Sequence, residues 1–361
     1  MKFNQKISRR DFLKLSGAML GGLMLPRSKG VLSNFFPQAQ VPQGTNLGRI
    51  CAGEEGAWFH LKTEPNVNAP DGKIVWRDDV VIWKREVVAN QLDYNIYNQR
   101  WVETPDGYLH VSMVQPVKNL PNQPLTSLPV NPDGSKGMWV EITVPVVDIK
   151  PTRIPAVSYW IREVNKPRIY YSQVFWAYDV RQENGTWEYL LMEKWGAEPD
   201  SYWVDATACR QIMPEEVTPI HPDVGDKLIK VNMTYQTLSA FEGSREVYFC
   251  EVSTGGPDGT PLGNFPIWRK MISTHMSAGG MVAYDTPGIG WTTLFHGEGA
   301  AIHAAFWHNN FGTALSHGCI NCRPEDAKWI WRWSNPQVSY FPGEWTSTDG
   351  GASSTRVEVS Y

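Results

Sequence analysis

Between Leu47 and Pro116 the chain breaks into short apolar pieces: Ala57-Trp58-Phe59, Lys73-Ile74-Val75-Trp76, Val80-Val81-Ile82-Trp83 and Arg100-Trp101-Val102. The turn sequences Ala69-Pro70-Asp71-Gly72 and Thr104-Pro105-Asp106-Gly107-Tyr108 separate them, so this stretch predicts strands joined by tight turns. A proline-rich run over 117–136 predicts a linker. Beyond it, Trp139-Val140-Glu141-Ile142-Thr143-Val144 alternates, and Glu183-Asn184-Gly185-Thr186 predicts a hairpin turn inside a second β-rich module over 137–226. From Lys227 the run Ile229 to Met233 alternates, Phe241-Glu242-Gly243-Ser244-Arg245 turns, and Glu246 to Val252 returns as a strand. Thr260 to Ile267 predicts a turn into another strand. Pro324 to Trp333 predicts a short helix, with proline at its first position and Glu325 and Asp326 in its first turn, where the helix dipole favours acids. The fold class is mainly β, with short helices.

Composition strengthens the β reading, since 17 Trp and 14 Tyr stand beside 26 Pro and 31 Gly. A formal net charge of −4 gives no global basic field, which excludes nucleic acid as an expected partner. The strand rhythm of 47–116 and its Asp-Gly-Tyr turn are similar to bacterial SH3-like β-barrel modules, and 137–226 reads as a second module of that kind. Residues 1–40 read as an address: Ser8-Arg9-Arg10-Asp11-Phe12-Leu13-Lys14 precedes a short apolar stretch from Leu15 to Leu25. That run resembles a twin-arginine export signal, which implies an exported, extracytoplasmic protein acting at the cell wall.

Chemistry concentrates late in the chain. Between Met271 and Cys322 the only formally charged residues are Asp285 and Glu298, yet His275, His296, His303, His308, His317, Cys319 and Cys322 all fall there. A nucleophilic thiol needs a base and backbone amides aimed at a developing oxyanion. Ser316-His317-Gly318-Cys319-Ile320-Asn321 offers both, because Gly318 lets the chain turn just before the sulfur. A thiolate beside an imidazolium is then the expected way to activate Cys319.

His303, twelve intervening residues and Ser316-His317-Gly318-Cys319-Ile320-Asn321 resemble the signature of the YkuD-type L,D-transpeptidases. The resemblance extends to Ser253-Thr254-Gly255 and Thr260 to Phe265, and implies a catalytic β-sandwich within 227–361. It implies Cys319 as nucleophile, His303 as base and the Ala304 carbonyl as the group orienting the imidazole. Amides around His317, Gly318 and Cys319 would bind the oxyanion, with Ser316 and Asn321 holding the loop. The implied donor is a peptidoglycan stem tetrapeptide, which loses its terminal D-Ala as Cys319 is acylated. An amine on the third residue of a second stem then closes a 3→3 cross-link, or water completes an L,D-carboxypeptidase reaction. That third residue is open among meso-diaminopimelate, lysine and ornithine. Carbapenem-type inhibitors are expected to acylate the enzyme, no cofactor is expected, and the protein is expected to be a monomer.

Trp307, His308 and Asn309 stand as candidates for the stem-peptide cleft, with core packing as the alternative for the tryptophan. Met276 and Tyr284, with His275 and Trp291, fit either a lid over the cleft or packing. His296 reads as structural, and Asp285 and Glu298 either meet an acceptor amine or are solvated charges. Two rival classes remain: a wall-binding protein without catalysis, and a metal or redox site at Cys319-Ile320-Asn321-Cys322. The latter lacks a second cysteine pair, so no metal is expected.

Overall fold

The computed structural model describes residues 41–42, 46–192, 200–256, 259–278 and 284–361. The twin-arginine-like segment 1–40 lies outside the described residues.

The first module builds two antiparallel sheets on one core. Strand Leu47–Ile50 lies between Val80–Ile82 and Val114–Val117, while a five-stranded sheet runs in the order Asp71–Trp76, Trp58–Lys62, Gly107–His110, Arg100–Thr104, Arg85–Val88. Ile50, Leu61, Val75, Val102, Leu109, Val111 and Val114 fill the space between them. The expected linker is instead fastened to the second module. Leu120 and Asn122 donate backbone bonds to the carbonyls of Thr143 and Thr207 (2.9 and 2.7 Å), and Leu128 is buried. Proline removes donors from this run, and several of those that remain find partners, so it packs without regular structure.

The second module is a seven-stranded sheet in the order Arg168–Tyr170, Val146–Pro151, Ser201–Asp205, Thr186–Met192, Val174–Glu183, Met138–Ile142, Cys209–Gln211. Asn184 and Gly185 both take positive φ (52° and 83°), as a two-residue hairpin demands. Two of its strands are buried on both faces. Met138, Val140 and Ile142 point into this module's own core with Phe175 and Ala177, whereas Trp139, Val174 and Trp176 point into the core of the next one. Successive side chains of a strand face opposite ways, so one run serves two cores. The alternation expected over Trp139 to Val144 is therefore a two-sided strand rather than a half-buried one.

The third module packs two five-stranded sheets face to face. One runs Arg245–Glu251, Thr237–Glu242, Lys227–Asn232, Arg356–Ser360, Gly263–Pro266, and the other Ile320–Cys322, Ala301–Ala304, Tyr284–Leu294, Arg269–Ala278, Glu344–Thr346. Strand Arg356–Ser360 joins the first sheet parallel to Lys227–Asn232, so the last strand of this module completes the sheet that its first strand opens. Helix Pro324–Trp333 lays Ala327, Ile330, Trp331 and Trp333 into the shared core. Trp291, one of the lid candidates, is buried there against Trp331 with ring centroids 5.5 Å apart, which settles it as packing.

Candidate active site

Two short parallel strands create the site. Ile302 pairs with Ile320, His303 with Asn321 and Ala304 with Cys322. The period of two sends Ile302, Ala304, Ile320 and Cys322 into the hydrophobic core, and leaves His303, Asn321 and the preceding Cys319 on the opposite side. There they line one cavity of about 360 Å³, together with Trp307, Met276 and Tyr284. The same alternation separates the two cysteines of the C-x-x-C, because residues three apart on a strand face opposite ways. All five cysteines are free thiols, and among the described residues no group of three His, Cys, Asp or Glu is placed to hold a metal.

His303 is 2% exposed, and its Nδ1 lies 3.0 Å from the Ala304 carbonyl. A carbonyl accepts only, so Nδ1 carries the proton and Nε2 keeps a lone pair. Burial pushes the imidazole down to about 4 against the partial opposition of that bond. Cys319 is half-buried beside the Gly299 carbonyl, with Sγ at 3.9 Å. Burial pushes its thiol up, and the Ala301 amide offsets only part of that. Burial thus disfavours the charged form of each group, the thiolate as well as the imidazolium.

The loop before the sulfur is tightly tied. Ser316 donates its hydroxyl proton to the Cys319 carbonyl and accepts from the Gly318 amide at 3.1 Å. The Leu315 and Ser316 amides both donate to the Thr254 carbonyl (2.9 and 3.0 Å), and Asn321 exchanges two backbone bonds with Ser253. Gly318 has φ +148°, and a Cβ there would lie 2.9 Å from the Gly259 carbonyl oxygen. Only glycine fits both the dihedral and the close approach.

Tyr284 and His317 stack across the cavity mouth, with centroids 5.7 Å apart. Trp307 faces the cavity 5.8 Å from the His303 ring. His308 and Asn309 turn the other way, into a second depression of about 630 Å³ among the three modules. The His308 ring reaches the site only from behind, Nε2 lying 3.0 Å from the Asn321 side-chain amide. Contrary to the expectation, neither His308 nor Asn309 lines the cavity that holds Cys319, because the chain leaves strand Ala301–Ala304 in a loop that periodicity cannot orient. His296 moves in the opposite direction: read as structural, it lines the cavity beside Glu298. Asp285 is not available to a substrate amine, since it pairs with His275 Nε2 and accepts from the Trp160 amide at 3.2 Å. Burial raises its carboxyl, but those partners win and hold it below the ordinary carboxylate range. Sequence reading missed the Gly299 carbonyl and the Ala301 amide, main-chain groups that no side-chain pattern marks.

Residues 226–359 match the model of the YkuD family, the L,D-transpeptidase catalytic domain. No curated protein matches the chain. Among solved structures, the chain is similar to an Enterococcus faecium L,D-transpeptidase carrying a C442S substitution, at 21% identity over 39% of this chain and 52% of that one, TM-score 0.30. It is also similar to a Mycobacterium smegmatis L,D-transpeptidase, at 15% identity over 59% and 99%, TM-score 0.31. A third likeness is to L,D-transpeptidase LdtMt1 in complex with imipenem, at 15% identity over 66% and 95%, TM-score 0.31. The chain spans about half the length of the first solved structures it matches, 51% and 52%. The family match covers the third module alone, and on that match the chain carries a YkuD-type L,D-transpeptidase catalytic domain over residues 226–359.

Proposed function

We propose that this protein is an exported peptidoglycan L,D-transpeptidase that forms 3→3 cross-links through an acyl-enzyme on Cys319. The observation that carries the reading is the parallel strand pair that sets His303, with Nδ1 held by the Ala304 carbonyl, and Cys319 on one cavity wall. As Sγ attacks the carbonyl carbon of the third stem residue, the thiol proton passes to His303 Nε2. The oxyanion is met by the main-chain amides of His317 and Cys319, the Gly318 amide being engaged by Ser316. Collapse of the intermediate breaks the bond to the terminal D-Ala, whose amine takes the proton from His303. The acceptor amine of a second stem then attacks the thioester, gives a proton to His303, and leaves with the acyl group as the thiol is restored. Neutral reactants suit this route, because proton and electron pair move together and no isolated charge is buried in the ground state.

Glu298, at the cavity wall, supports acceptance of an ammonium group on the incoming stem. Carbapenems offer a strained acyl group to the same thiol and are expected to acylate it. The two N-terminal modules, SH3-like in the reading of 47–116, would place the domain on the wall after export directed by residues 1–40. Chromatography of disaccharide-tetrapeptide fragments after incubation tests the reaction. Dimers joined 3→3 with released D-Ala support transpeptidation, tripeptide without dimers moves the reading to carboxypeptidase, and unchanged fragments with wall binding favour the non-catalytic protein.

A further inference from the structure

Arg49 is the most deeply buried arginine among the described residues, 1% exposed, and it belongs to the first module rather than to the catalytic one. A guanidinium stripped of water is stable where its donors find acceptors and its charge is answered. Here Nε and one terminal nitrogen both donate to Gln115 Oε1 (3.0 and 2.8 Å), and the other terminal nitrogen donates to Asp78 Oδ1 at 2.9 Å. The plane lies 4.1 Å over the ring of Tyr170 from the second module. The terminal nitrogen that meets Gln115 also crosses into the catalytic module and donates to the Phe306 main-chain carbonyl at 3.0 Å. Asp78 itself is shared with Arg168 and with the Tyr170 hydroxyl (3.2 and 3.4 Å), so the charge is balanced by both N-terminal modules.

The carbonyl that Arg49 grips belongs to the peptide joining Phe306 to Trp307. One residue earlier, the Ala305 amide donates to the Cys322 carbonyl at 2.9 Å, and the residue before that supplies the carbonyl that orients His303. The short stretch from His303 to Trp307 is thus pinned on one side by the strand that follows Cys319 and on the other by a residue over 250 positions away in sequence. The Phe306 ring, stacked on Tyr170 at 6.0 Å, fixes the same point from a third direction.

We propose that Arg49 is a positioning residue for the cysteine chemistry. By holding the Phe306 carbonyl it fixes the loop that orients the His303 imidazole and sets Trp307 against it, so the N-terminal modules are part of the catalytic apparatus and not only a means of attachment. This rests on the reading of Cys319 and His303 given above. A guanidinium suits the task because its planar fork serves three acceptors at once, which an ammonium on a flexible stem cannot reproduce.

The full chain is tested with Arg49→Met and Arg49→Lys, the latter keeping the charge beside Asp78 but losing the fork. Turnover of disaccharide-tetrapeptide, alkylation of Cys319 by iodoacetamide in alkaline solution and thermal melting are read together. Misplacing a reacting group by an ångström costs about a hundredfold. The expected result is kcat lower by about ten- to a hundredfold with KM nearly unchanged. Alkaline alkylation stays at the wild-type rate, because hydroxide there replaces His303 as the base. A role in folding alone would leave kcat per folded molecule intact, and wild-type kcat in folded Arg49→Lys overturns the proposal even if Arg49→Met fails to fold. If the wild-type chain itself leaves tetrapeptide unchanged, the reading of the reaction fails instead. Arg49 is then judged by the rate of Cys319 acylation with a carbapenem, where equal rates in wild type and variants overturn it.

Discussion

At Cys319 the proposed chemistry and the surroundings pull in opposite directions: an attacking thiol must give up its proton, and burial disfavours the thiolate. His303 is displaced the other way, to about 4 from the usual 6.5. Catalysis by a neutral imidazole is lost as pH falls and the ring protonates. The rate of Cys319 acylation by a carbapenem, followed against pH by intact mass, is therefore expected to keep its plateau through pH 6.5 and to fall only near 4. A limb at 6 to 7 would mean a solvated histidine with an ordinary constant. Stability follows the same sign. Because the folded value lies below the unfolded one, the unfolded chain binds the extra proton, and this contribution, complete above 6.5, is lost as pH falls towards 4. At Gly318 the constraint is steric. Gly318→Ala places a methyl 2.9 Å from the Gly259 carbonyl at φ +148°, and is expected to destabilise the fold by about 1–3 kcal/mol and to cut turnover severely. Wild-type melting and turnover in that variant would contradict the loop geometry.

At the scale of elements, local patterns were legible wherever they were self-contained. Asn184-Gly185 gave its hairpin, Glu242 to Arg245 gave another with Gly243 at φ 58°, and the proline-led helix begins at Pro324 as expected. Pairings between distant segments were not legible. Nothing local tells Arg356–Ser360 to lie parallel to Lys227–Asn232, or tells Met138–Ile142 to serve two cores. His303 and Cys319 were legible as a motif, but their placement comes from register between two strands of four and three residues. That register gives Cys322 to the core beside Ile302 and Ile320, away from the cavity. Cys322→Ala is accordingly expected to keep wild-type turnover while costing about 1–2 kcal/mol on denaturation, as a small cavity does. Loss of turnover in a folded Cys322→Ala protein would restore a chemical role for the second thiol.

For the whole molecule, the modules that the sequence separates by composition are joined by side chains that composition does not reveal. Trp139 donates its indole N–H to the Tyr340 carbonyl at 2.9 Å, Trp176 packs on Phe341 with centroids 5.8 Å apart, and Gln173 donates to the Pro287 carbonyl at 2.7 Å. Gly288 takes φ 65°, where a Cβ would meet the Phe175 ring at 2.4 Å, so the hairpin bearing Tyr284 is shaped to receive the second module. Each large aromatic side chain uncovered by removing that module forfeits about 1.5–3 kcal/mol of burial. A chain cut to residues 226–361 is thus expected to melt well below the full protein and to bind a hydrophobic dye. An equal melting temperature would show that the catalytic module stands alone.

The most direct test of the central claim is intact-mass analysis of the wild type and of Cys319→Ala, each mixed with disaccharide-tetrapeptide and quenched in acid. A wild-type adduct with the mass of the stem lacking its terminal D-Ala, located on Cys319 by peptide mapping and absent from Cys319→Ala, is the predicted result. Release of D-Ala by Cys319→Ala at the wild-type rate, or an adduct on any other residue, would contradict it.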